Sequence, residues 1–526
     1  MIGADRRKNI ILKISVFLLI LAAGGIIIFR NIDEPEVDQS SSRPEGTLTI
    51  NYANEANNFG YPLNIRHSDC HYAWWGGLQS LVQLSTETPG ELVPVLAEKW
   101  EFTEDRSSCT FFLRKGIKFH DGTDFNAHAV KWNMEKVIAS ERDYLKNVKS
   151  IDIVDYHTIR FNISSWDSLF LSDFASDACL IISPTAFEAN GGEEWANKHP
   201  VGTGPFKLKE YKRNTYIKFE RFNDYWEENI PYLESLIVYH IPDPMTAMAS
   251  FLRGELMALR MADMITAKQI KDSSDKFNFE VCPGGNMAIY FNTINPESIW
   301  ADKRMREALE YAIDKKEITE SLGFGFIDPL YNIIFGINEA GNPKTTPRKY
   351  DPDKARQLIK EAGHKERLKI KCSYNIGFHS DLFVALQKNL SEVGIDLELN
   401  AMSHTATVQL NAHPSPGNDL RFTRLRGRSP LVRGAYEELS SKSWYFVGVK
   451  RTEGFDDSLN SAIKEPDSKK QLELLEEAER IAYEDAMFIP LWTDPSINVV
   501  VPELKGAVWW VGRNYPHFER AWLEKQ

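Results

Sequence analysis

Residues 368–400 hold a strand, a helix and a second strand in close succession. The segments 368–374 and 395–400 read as strands, and 382–393 reads as a helix closed by Gly394. Two strands joined through a helix lie parallel, because an antiparallel pair needs only a tight turn. A parallel pair commits this part of the chain to an α/β arrangement with helices on the sheet. Strands are also expected at 46–52, 207–211, 216–221, 233–241, 488–492 and 496–501. A hairpin turns between 101–102 and 109–114, and 151–163 alternates as two short strands. Helices are expected at 72–84, where Trp74 and Trp75 lie, and at 124–138, with Asn126 near its start. Further helices are expected at 244–253, as a pair within 301–322, at 353–362 ending on Gly363, and at 469–485. The glycines of 201–206 make a permissive joint where the pattern resets.

The first 30 residues are different material. Arg6, Arg7 and Lys8 precede an apolar run from Ile10 to Phe29 broken only by Lys13 and Ser15. About twenty residues at ~1.5 Å each cross a bilayer core of ~30 Å. The basic flank stays in the cytoplasm, which places the body outside it. A membrane anchor and a cleaved signal both fit. Ala22, Ala23 and Gly24 are small enough for cleavage, but Ile26 to Phe29 would remain as an apolar tail, which favours the anchor. No Cys lies near the run, so no lipid anchor is expected. Residues 31–45 read as a linker.

The formal net charge is −12, which argues against nucleic acid as a partner, since phosphate binding needs a basic face. Of the five cysteines, none pair at CxxC spacing, and the odd number leaves at least one thiol. His67, Cys70 and His71 sit close together but read as loop residues, and no metal or cofactor is expected. No phosphate-cradling glycine loop, no GxSxG and no HExxH is present. The chain reads as a binder, not an enzyme.

Six segments then carry a resemblance: 96–102 (LAEKWEF) with 110–123 (TFFLRKGIKFHDGT), 201–206 (VGTGPF), 222–226 (FNDYW), 241–244 (IPDP), 302–314 (DKRMREALEYAID) and 350–363 (YDPDKARQLIKEAG). In this order they resemble the extracellular solute-binding proteins of family 5, the peptide, opine and nickel group of ABC importers. The resemblance implies a periplasmic-binding-protein-like fold (class II, cluster C), a two-lobed Venus flytrap with an extra domain. It places lobe I at 46–80, 200–295 and 490–526, the extra domain at 81–199 and lobe II at 296–489. It implies a monomer, tethered by its N-terminal helix outside the cytoplasm, that hands a small molecule or short peptide to permease subunits. A sensor without transport, a nickel-chelate binder and a hydrolase remain as alternatives.

In peptide-binding members, an Asp in a Trp-x-x-Asp type segment pairs with the ligand's amino group. The corresponding stretch here is 419–430, where the Trp position falls on Leu425 and the Asp position on Arg428. No acidic residue lies between Leu420 and Ala435, but Arg421, Arg424, Arg426, Arg428 and Arg433 do. Guanidinium forks suit carboxylates and phosphates, so an anionic group on the ligand is expected, with Arg424, Arg426 and Arg428 as candidate contacts. By family position Tyr52, Arg66, His67, Tyr72, Trp74, Asn286, Tyr290 and Trp444 are further candidates.

Overall fold

The computed structural model describes residues 46–524, except 66–69, 86–89, 141, 283, 336–341, 377, 412, 415–416, 426–429, 444–445 and 510–515. Three sheets organise it. The largest has seven strands, in the order Asn278–Cys282, Ser496–Val500, Ala258–Ala262, Thr47–Tyr52, Ser235–His240, Tyr216–Arg221 and Phe206–Lys212. Its central strand, Thr47–Tyr52, alternates threonines with Leu48 and Ile50, and both apolar residues are fully buried. That strand runs parallel to Ser235–His240 and Ala258–Ala262.

The second sheet has five strands: Ile395–Met402, Leu368–Asn375, Leu420–Leu425, Asn286–Tyr290 and Ile489–Thr493. Leu368–Asn375 and Ile395–Met402 pair in parallel, as the strand–helix–strand order requires. The connecting helix, Ser380–Glu392, buries Leu382, Phe383, Leu386 and Leu390. Gly394 beyond it has φ +91°, the left-handed turn that ends such a helix without a Cβ penalty. The third sheet has four antiparallel strands, Ala97–Phe102, Ser108–Leu113, Thr158–Ile163 and Val148–Asp155. Helix Ala127–Ala139 belongs to the same unit, and the Asn126 side chain accepts from the His128 and Ala129 amides at its start. The rings of Phe111, Phe161 and Phe174 meet at 4.8–5.6 Å in its core.

The expected helix over 72–84 is corrected. It spans only Cys70–Trp75, and Val82–Leu84 is a strand paired with Leu92–Pro94. Gly77 takes φ +87°, and a Cβ there would lie 2.3 Å from the Phe206 carbonyl oxygen. The helix stops because its next turn would collide with a distant segment.

Cys109, Cys179, Cys282 and Cys372 are free and buried. Burial pushes the Cys109 and Cys282 thiols up to about 12. Among the described residues no helix is long and apolar enough to cross a membrane; the run at 10–29 lies outside them.

Candidate functional site

The two large sheets face a common place. In the seven-stranded sheet the parallel strands end at Tyr52, His240 and Ala262. Ala262 pairs with Ile497, near the start of the antiparallel strand Ser496–Val500. In the five-stranded sheet the parallel strands end at Asn375, Met402 and Leu425, and Leu425 pairs with Asn286, the start of its antiparallel neighbour. The chain crosses between the sheets at Cys282–Asn286 and at Thr493–Ser496, so both crossings run along carboxyl edges. In open α/β sheets the carboxyl edge is where ligands sit, because loops diverge there.

The crossings are narrow and tied together. The Asp494 amide donates to the Gly285 carbonyl at 2.8 Å. A Cβ on Gly284 would lie 2.4 Å from the Asp494 carbonyl oxygen, and one on Gly285 would lie 2.3 Å from that of Leu425. Arg424 lies across both: its Nε stands 2.8 Å from Asp494 Oδ2, and its Nη2 donates to the Asp494 carbonyl at 3.2 Å. The sequence Pro-Gly-Gly at 283–285 is the signal that could have marked this crossing. Its partner Asp494 carried no such signal.

Beside the crossings, Asn286, Ile333, Ile334, Leu425, Gly434 and Glu438 help line a small cavity of about 30 Å³. The segment 333–335 is held from behind by Glu479, which accepts from the Ile333 amide at 3.0 Å and also from Ile334. Burial raises the Glu479 carboxyl to about 7, against the pull of those amides. On the other sheet, the Arg260 guanidinium stands 5.1 Å from the ring centres of both Tyr52 and Trp75. Trp75 donates to the Pro516 carbonyl at 3.1 Å. Burial disfavours the charged form of His517, but Glu519, 2.8 Å away, overrides it and holds the imidazole above its ordinary value.

The expected contacts fall into three groups. Tyr52, Tyr72 and Tyr290 are 3, 2 and 0% exposed. Tyr52 meets Tyr72 edge to face at 5.3 Å, the Tyr72 hydroxyl donates to the Asn54 carbonyl at 2.8 Å, and the Tyr290 hydroxyl donates to Asn411. These three are core in this conformation. Asn286 and Arg424 are half-buried at the carboxyl edges, and Trp74 is half-buried against the cluster of Ile65, Leu78 and Ile182. Arg66, His67, Arg426, Arg428 and Trp444 lie outside the described residues.

Two of the other arginines of the 421–433 stretch are structural. Arg421 is 1% exposed and donates to the carbonyls of Leu410, His413 and Pro414. Arg433 is 2% exposed and pairs with Asp173 of the four-stranded unit. Among the described residues no group of three His, Cys, Asp or Glu could hold a metal.

Two sheets joined by a double crossing, with carboxyl edges facing it, define a two-lobed binding protein. Residues 91–444 match the model of bacterial extracellular solute-binding proteins, family 5. The chain belongs to this family, whose members bind solutes and catalyse nothing. It is 27% identical over 428 residues to the glutathione-binding protein GsiB of Salmonella choleraesuis (strain SC-B67), covering 78% of this chain and 82% of that one. It is 28% identical over 433 residues to the protein of the same name from Shigella flexneri, covering 79% and 83%. Among solved structures, the periplasmic binding protein DppA of Helicobacter pylori in complex with the peptide STSA aligns with TM-score 0.75 at 23% identity, covering 92% of this chain and 99% of that one. NikA of Brucella suis in complex with Fe(III)-EDTA aligns with TM-score 0.78 at 22% identity, covering 91% and 100%.

Proposed function

We propose that this chain captures a peptide or peptide-like solute carrying negative charge and hands it to the permease of an ABC importer. The observation that carries the reading is the pair of carboxyl edges meeting at the glycine crossing. A hinge there lets the seven-stranded and five-stranded lobes close over a ligand, with the four-stranded unit as the extra domain. Crossings at 283–285 and 494–495 are the proposed lobe boundaries. The run at 10–29 is the proposed membrane anchor, with the body outside the cytoplasm.

The ligand class draws on two supports. The GsiB relatives are named for glutathione, an anionic peptide, and match over about four-fifths of their length. The only charged side chains of the stretch 420–435, where peptide-binding members place an Asp, are positive. Arg421 and Arg433 are occupied elsewhere, and Arg424 is half-occupied by Asp494. The charge reading therefore rests on Arg426 and Arg428. Calorimetric titration with reduced glutathione tests it. Arg428→Ala should weaken binding at least tenfold, and an unchanged affinity would remove the anionic reading.

A further inference from the structure

The four-stranded unit touches both lobes in different ways. Against the seven-stranded lobe it is fused. The His120 amide donates to the Gly202 carbonyl at 2.8 Å, and His120 Nε2 lies 3.0 Å from the Gly204 carbonyl. A Cβ on Gly77 would lie 2.4 Å from His120 Cε1. Gln79 bridges to Ile181, and the Arg114 guanidinium stands 4.9 Å from the Trp226 ring.

Among the described residues, the unit is pinned to the five-stranded lobe around Arg433. Arg433, on helix Leu431–Leu439, reaches into a pocket at helix Leu169–Asp173. Its Nη2 donates to Asp173, to the Leu169 carbonyl at 2.9 Å and to Ser172 Oγ at 2.8 Å, and its Nε reaches Ser172 Oγ at 3.1 Å. Asp173 is 7% exposed and also accepts from the Leu145 amide at 2.8 Å. The Ser168 amide donates to the Ile463 carbonyl at 2.7 Å alongside.

We propose that Arg433 and Asp173 form a latch that holds the five-stranded lobe closed against the four-stranded unit, so that they set ligand affinity without touching the ligand. This rests on the closure reading above. When the lobes part, both charges regain water, so the pair makes and breaks with little net change. Removing one partner acts differently. Losing Asp173 leaves Arg433 to Glu437, 2.7 Å away on its own helix, and losing Arg433 takes from Asp173 the cation that opposes its burial; either acts in the closed state alone and so shifts the population toward open. Leu431, Gly434, Ala435, Glu438 and Leu439 of the latch helix line the small cavity beside Asn286, which couples the latch to the site.

The test is a distance measurement between spin labels on the ligand-free full chain. Labels go at Val154→Cys in the four-stranded unit and Leu472→Cys in the five-stranded lobe, 52% and 43% exposed, with Cys70→Ser as background. The unaltered latch should give a resolved short-distance population. Asp173→Asn should lower the short-to-long ratio at least tenfold. Arg433→Lys, which keeps the charge but lacks the fork, should lower it severalfold and serves if Asp173→Asn fails to fold. Distributions unchanged by a folded variant, or no short-distance population at the start, would overturn the latch. Because no ligand is present, a failure of reduced glutathione to bind would count against the solute reading alone.

Discussion

The two faces of the four-stranded unit hold their neighbours by opposite means. One seam is a close approach of His120 to the glycines Gly77, Gly202 and Gly204 of the seven-stranded lobe. The other is an arginine fork and a carboxylate, both nearly water-free. The first has no built-in open alternative, since parting it breaks the His120–Gly202 backbone bond. The second has one, because charges separated into water are well solvated. A protein that must open and shut can place rigidity on one side of a small unit and reversibility on the other.

Breaking the fused seam should have the largest effect. Gly77→Val places a branched side chain at φ +87° with atoms already within 2.4 Å, and should lower stability by more than ~4 kcal/mol or abolish folding, read by denaturant unfolding. Breaking the latched seam should come next. Asp173→Ala removes one of the two carboxylates that Arg433 meets, Glu437 at 2.7 Å being the other, a loss of about 1.5–3 kcal/mol in the closed form. It should appear as weaker binding of reduced glutathione by calorimetry, with a smaller change in the unfolding midpoint.

The buried charges of the five-stranded lobe should also give it a pH response that a glycine seam lacks. The Glu479 carboxyl is raised from 4.5 to about 7. Its contribution to stability is full below pH 4.5 and is lost as pH rises through about 7. Between pH 5 and pH 8 the parent should lose about 1–3 kcal/mol more than Glu479→Gln, by denaturant melts at both values. Asp173, raised mainly by burial, works in the same direction. The smallest effect belongs to the half-buried pair at the crossing. Arg424→Ala should cost about 0.5–1 kcal/mol of stability, measured in the same melts, and a larger loss would make the crossing a third rigid seam.

Much of the fold was legible because its signals are local. The strand 46–52 alternates, Asn126 caps its helix through two amides, and Gly394 closes the helix that makes the parallel pair. What stayed hidden depends on distant partners. The helix 72–84 stops at Trp75 because of Phe206, which lies far along the chain. The strand Leu420–Leu425 went unread because arginines inside a strand suggest a solvated edge; Arg421 is buried only because the carbonyls of Leu410, His413 and Pro414 receive it. The same stretch shows why the candidate site was only partly legible. A run of arginines is one signal in sequence, yet its members serve as a loop clamp, a crossing tie and a latch. The aromatic candidates Tyr52, Tyr72 and Tyr290 look alike whether they line a cleft or a core, and the structure puts them in the core.

Titrating the spin-labelled chain with reduced glutathione, while recording both heat and the label distance, shows whether the chain binds a peptide-like solute by closing its lobes. Binding should be saturable and one-to-one, with the short distance filling in parallel. Binding without any change in distance, or no binding of reduced glutathione or simple tripeptides at millimolar concentration, would contradict it.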